Sequence, residues 1–165
     1  MPDTRDIMEY DEAHYFGNAE NDTITLGGVI TEMTESSNPT ESEKQYIHQK
    51  SSTTKVTGFG NEFPITMDMV KGDTVFEDFY NIFYRRLTGT SAQRYHYIVN
   101  LWEPVEGSAN TYNARKILQT VSIEEATGGA GEQKQISGSL KGGDFIYGTF
   151  NTSTLTFTPE NGTSL

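Results

Sequence analysis

The run Asn113-Ala114-Arg115-Lys116-Ile117-Leu118-Gln119-Thr120-Val121-Ser122-Ile123-Glu124-Glu125 passes through Thr127-Gly128-Gly129-Ala130-Gly131 into Gln133-Lys134-Gln135-Ile136-Ser137-Gly138-Ser139-Leu140. Ile117, Val121 and Ile123 share one parity in the first run, Ile136 and Leu140 in the second. Successive side chains of a strand point to opposite faces, so each run reads as a strand with one apolar face. The glycines between them permit the positive φ of a connecting turn, and the whole reads as an antiparallel hairpin. Gly142-Gly143 then turns into residues 145–150, and Asn151-Thr152-Ser153 into residues 155–157. The C-terminal half is therefore expected to be consecutive antiparallel strands.

Outward from that hairpin, residues 94–102 alternate, with Tyr95, Tyr97, Val99 and Leu101 on one face and Ile98 and Trp102 on the other, so both faces read as partly buried. One amphipathic helix is predicted over about residues 73–88. Val75, Phe76, Phe79, Ile82, Phe83 and Leu87 form its core face. Thr74 and Glu77 have capping-box spacing, Arg85 and Arg86 suit the last turn, and Gly89 can stop the helix. Before it, Phe63, Ile65 and Met67 alternate with Pro64, Thr66 and Asp68 as a short strand; Ile24, Leu26, Gly28 and Ile30 alternate with Thr25, Gly27, Val29 and Thr31 as another. Residues 34–55 form a long polar connection containing Asn38-Pro39, with a thin alternation over 46–56 like the second leg of an extended hairpin. Residues 1–22 are acidic and aperiodic and read as an N-terminal arm. The expected fold class is α+β, mainly β: an antiparallel two-sheet sandwich or barrel in one domain, with the helix on its flank.

Composition narrows the function. The chain of 165 residues carries a net charge of −11, against the basic patches that a phosphate-gripping protein needs. Residues 1–50 hold 11 of the acids against Arg5, Lys44 and Lys50. The absence of cysteine excludes disulfides and thiolate metal sites. No apolar run reaches membrane-span length and the N-terminus lacks a signal-peptide pattern, so a soluble cytosolic product is expected. Asn-X-Ser/Thr matches at Asn21, Asn151 and Asn161 are then chance ones. His14, His48 and His96 stand far apart in sequence, and His96 reads as a packing residue. The glycines at 128–131 lack the Lys-Ser/Thr of a phosphate loop and precede a strand. The acid pairs Asp11-Glu12, Glu77-Asp78 and Glu124-Glu125 read as solvated neighbours. No catalytic, metal-binding or cofactor-binding residue is expected.

Several stretches, taken in order, resemble the major tail (tail tube) proteins of long-tailed phages of Gram-positive hosts. They are Gly28-Val29-Ile30-Thr31-Glu32-Met33-Thr34-Glu35-Ser36-Ser37-Asn38-Pro39, Lys44-Gln45-Tyr46-Ile47, Val56-Thr57-Gly58-Phe59 and Phe63-Pro64-Ile65-Thr66. Downstream come Asp73-Thr74-Val75, Arg85-Arg86, Tyr112-Asn113-Ala114-Arg115-Lys116, Gln135-Ile136-Ser137-Gly138-Ser139-Leu140 and Gly148-Thr149-Phe150-Asn151. The resemblance spans about residues 26–157 and is weaker over the acidic arm.

It implies a structural virion protein that forms hexameric rings, stacked as a tube through which phage DNA passes without specific binding. Tape measure protein and tail terminator or distal tail proteins are its implied partners, with assembly in the host bacterial cytoplasm and no membrane. It also implies that the long loop reaches an adjacent ring, through Thr34, Asn38, Pro39, Glu43, Tyr46 and Ile47. With so few apolar anchors, that loop is expected to be mobile in the monomer and ordered only between rings. Strand-borne Glu62, Glu103, Glu124, Glu125 and Glu132 are the candidate lumen acids, able to repel a polyanion. The inner tube of a contractile tail or a tail-like bacteriocin is the nearest alternative. A β-sandwich carbohydrate-binding module is a second, suggested by the aromatics.

Overall fold

The computed structural model describes residues 4–18 and 24–160. Eleven strands and one α-helix occur among them, with two short 3-10 turns. Strand β1 is Glu12–Asn18, β2 Ile24–Leu26, β3 Ile30–Met33, β4 Pro39–Lys44, β5 Thr53–Phe59 and β6 Glu62–Asp68. Helix α1 is Thr74–Tyr84, followed by β7 Gln93–Pro104, β8 Thr111–Thr127, β9 Gln135–Lys141, β10 Ile146–Asn151 and β11 Thr156–Pro159. All strand pairings are antiparallel, and the mainly β class expected from the sequence is the one observed.

Nine strands form one sheet with the path β2-β1-β7-β8-β9-β6-β3, while β4 and β5 pair apart from it. The 17-residue β8 joins two layers: its first part, from Thr111 to Lys116, carries β10, and its last part, from Thr120, carries β9. The two ends of the path, β2 and β3, are separated by three residues of chain, so Leu26 and Ile30 lie no more than about 14 Å apart. The sheet must curl until β1 and β6 flank one short segment. Gly27 sits at that junction, where a Cβ would lie 2.8 Å from Ile30 Cδ1 and 2.9 Å from the Phe16 ring. The run read as one strand over 24–31 is thus two, breaking where the chain crosses Phe16.

The curled sheet encloses Phe63, Ile65, Met67, Ile98, Val121, Ile136 and Leu140, and α1 packs into the same cluster with Val75, Phe76, Phe79 and Ile82. Phe79 is fully buried and meets the Phe16 ring edge-on. Phe83 and Leu87 are half-buried, as expected of the stripe's margins. A second cluster on the other face of β1 and β7 holds Tyr15, Tyr97 and Val99 with Phe150 of β10.

Three expectations are corrected. Residues 12–18 are not an arm but β1, paired along its length with β7; Tyr15 and Phe16 enter different clusters, so consecutive residues are buried and no alternation shows. The rest of the arm divides between the described residues 4–11 and positions outside them, where the matches at Asn21 and Asn161 also lie. The helix is N-capped by Asp73, not Thr74, because the Asp73 carboxylate accepts from Phe76 N at 2.9 Å while Glu77 reaches back to Gly72 N at 2.8 Å. It stops before Gly89, at Arg86, which takes φ 53° while Leu87 N donates to Ile82 O.

Candidate assembly surfaces

Strands β4 and β5 make a hairpin that buries almost nothing against the rest of the chain. Every residue of β4 is exposed, and of β5 all but Gly58 are. An alternating strand pattern arises when one face packs; here neither does, so only the backbone ladder and the turn hold the shape. Tyr46, Ile47, Val56 and Phe59 are apolar and largely in solvent, Ile47 completely so.

The structure places the predicted loop residues in two groups. Thr34 belongs to the sheet edge, donating N–H to Pro64 O at 3.1 Å. Asn38 closes the hairpin base with φ 42°, its amide donating to Gly60 O at 3.0 Å. Pro39 opens β4, a position where a strand tolerates a missing N–H. Glu43 lies within β4, and Tyr46 and Ile47 form the tip. The connection is therefore a hairpin over 39–59, displaced from the 34–55 segment read in the sequence. Phe59 was not among the predicted loop residues: it is out of phase with Tyr46 and Val56, and an irregularity in the β4–β5 register separates it from Val56.

At the hairpin base Arg115 of β8 holds Glu35 by two hydrogen bonds of 2.7 and 2.8 Å. Phe59, Phe145 and Tyr147 line a depression of about 460 Å³ beside that pair.

The outward face of β3, β6, β9 and the end of β8 is polar and acidic. Cross-strand rows read Glu32-Thr66-Ser137-Glu125, Asp68-Gln135-Thr127 and Glu62-Lys141-Thr120. Gln135 Nε2 donates to Asp68 Oδ1 at 2.8 Å and Ser137 Oγ to Glu125 Oε1 at 3.3 Å, so hydroxyls and amides orient the carboxylates. Of the five candidate lumen acids this face gathers Glu62 and Glu125. Glu124 occupies the β8 bulge, Glu103 lies on β7 accepting from Asn113, and Glu132 lies in the loop after β8, not on a strand. Glu32 and Asp68 were not on the sequence-derived set; register, which the sequence does not show, places them here.

A polar line crosses the interior. Gln119 Oε1 lies 2.9 Å from His96 Nδ1, and His96 Nε2 lies 2.9 Å from His14 Nδ1. His96 then carries its proton on Nδ1 and accepts from His14. His14 Nε2 stands 3.2 Å from Glu12 Oε1 without an aligned hydrogen bond. Burial, chiefly, pushes the His96 imidazole well below its ordinary value, while the close approach of the His14 ring nitrogen lowers Glu12. The histidines that stand apart in sequence are thus neighbours, because β1 pairs with β7. Among the described residues no cluster of three or more His, Asp or Glu could hold a metal, and no helix is long and apolar enough to cross a membrane.

The class defined by this geometry is a mainly β fold with one helix and a protruding hairpin, of the tail tube kind. The chain is similar to the SPP1 tail tube, solved by solid-state NMR and electron cryomicroscopy, with TM-score 0.66 and 17% identity over 86% of this chain and 78% of that one. It is also similar to a chain of the anti-feeding prophage baseplate, solved with six-fold symmetry, with TM-score 0.52 and 8% identity over 87% of this chain and 96% of that one. At these identities the likeness is one of fold. No family model matches the sequence, and no curated protein matches it.

Proposed function

We propose that this chain is the building block of a phage tail tube, polymerising as stacked hexameric rings around a channel that conducts DNA during ejection. The observation that carries the reading is the hairpin, which exposes Tyr46, Ile47, Val56 and Phe59 on a fold shared with the SPP1 tail tube. Four such side chains in water are explained by burial against another subunit, since surface apolar clusters mark contact sites. Thr34, Asn38 and Pro39 then set the hairpin's exit, and Glu43, Tyr46 and Ile47 meet the next ring. Strand edges at β2 and β11 offer backbone groups for ring joints.

The acidic face of β3, β6, β9 and β8 is the proposed lumen wall. Its carboxylates repel phosphate and its hydroxyls hydrate the surface, so DNA slides without a deep binding minimum. The chemistry is physical, with no catalytic step. The tape measure and tail terminator or distal tail proteins would meet the tube at its core and ends, and its place is the virion tail. Likeness to the anti-feeding prophage chain favours, as a second reading, the inner tube of a contractile tail; a sheath protein encoded beside this one distinguishes it. Electron microscopy with sedimentation tests the assembly: tubes of uniform bore support it, and a persistent monomer contradicts it.

A further inference from the structure

We infer that the wedge between β1 and β3 is the receptor for the hairpin tip of a second copy of this chain. Strand β1 pairs with β2 only over Tyr15, Phe16 and Gly17, and the chain then departs at Gly27 to join β3 to β6. The segment Glu12-Ala13 on one side and β3 on the other therefore diverge, leaving a cavity of about 630 Å³. Ala13, Leu26, Ile30 and Met33 supply its apolar lining, with Glu12 and Glu32 at its lips. Both facing edges lack a further strand among the described residues, and two open edges accept an extended segment through backbone hydrogen bonds.

The occupant is identified by charge and shape. In a chain of net charge −11, residues 44–55 hold Lys44, Lys50, Lys55 and His48 and no acid at all. The same segment carries Tyr46 and Ile47 on the tip of a narrow two-stranded projection. Apolar tip matches apolar lining and lysines match the glutamate lips. A short edge strand closed in this way also removes the exposed edges that would otherwise pair at random. The inference rests on the assembly reading above and names the surface that receives the hairpin.

Because the chain has no cysteine, cross-linking gives a clean test. The double variant Leu26→Cys/Ile47→Cys, assembled and mildly oxidised, is expected to give a ladder of covalent multimers on a non-reducing gel. The double variant Ile47→Cys/Ser153→Cys, with its second thiol on the exposed β10–β11 turn, is expected to give none. Lys50→Glu is expected to abolish polymer, and Glu32→Lys in the same chain to restore it; both positions are exposed, so folding is unaffected. Polymer that forms normally with the ladder absent from the Leu26 pair overturns the receptor while leaving the assembly reading intact. Failure of the unaltered chain to polymerise overturns both.

Discussion

At position 138 the absence of a side chain lets β8 and β9 approach. A Cβ there would run into the Ser122 carbonyl oxygen and lie 2.6 Å from Ile123 Cα, beside the bulge at residues 123–125. Gly138→Ala is expected to cost about 1–3 kcal/mol by overpacking, read as a lower urea midpoint at unchanged slope. Phe79, fully buried against Phe16, is less forgiving: Phe79→Asp places a charge in the larger cluster and is expected to cost several kcal/mol and solubility. An unchanged melting temperature would remove the helix from the core. His96 gives a pH signature. Its folded imidazole titrates below 6.5, so the unfolded state binds more protons as pH falls through 6.5, and stability declines by up to about 1.4 kcal/mol per unit below that value. Below 4.5 the loss of Glu12, whose folded value is also lowered, adds to the decline. Melting midpoints between pH 8 and 5 should fall only on the acid side, and His96→Gln should flatten the profile.

Among the elements, helix α1 and strands β6, β8 and β9 were legible because periodicity records the face that each packs, and β7 because its apolar residues fall on both of its faces. Phe63, Ile65 and Met67 are all buried, as their alternation required. Strand β1 was illegible for the opposite reason: Tyr15 and Phe16 are buried on opposite faces, so the pattern is a short block in an acidic stretch. Strand β4 was hidden because a strand with no buried face leaves no apolar trace, and it read as loop. The two-histidine contact and the acidic rows depend on register between segments far apart in sequence. Since no hairpin residue between 40 and 58 belongs to either core cluster, replacing those residues with a short turn should leave the melting temperature within a few degrees of the parent. The same excision should abolish tube growth in the electron microscope. Amides of residues 44–55 should exchange rapidly in monomer and slowly in tubes; equal protection in both would take the hairpin out of the assembly mechanism.

At the scale of the molecule, charge and surface point the same way. A net charge of −11 and an outward face rich in acids and hydroxyls leave few counterions to release on duplex DNA. Affinity weaker than micromolar is expected at physiological salt, and a tight complex in a filter assay would contradict a wall along which DNA slides. The hairpin and the open edges of β2, β3 and β11 are the surfaces that the proposed assembly would use for contact. That assembly is tested most directly by electron microscopy of the purified full-length chain over a range of concentrations and salts. Hollow tubes or stacked rings of six subunits with one uniform bore are the expected result. Particles of monomer size under every condition would contradict it.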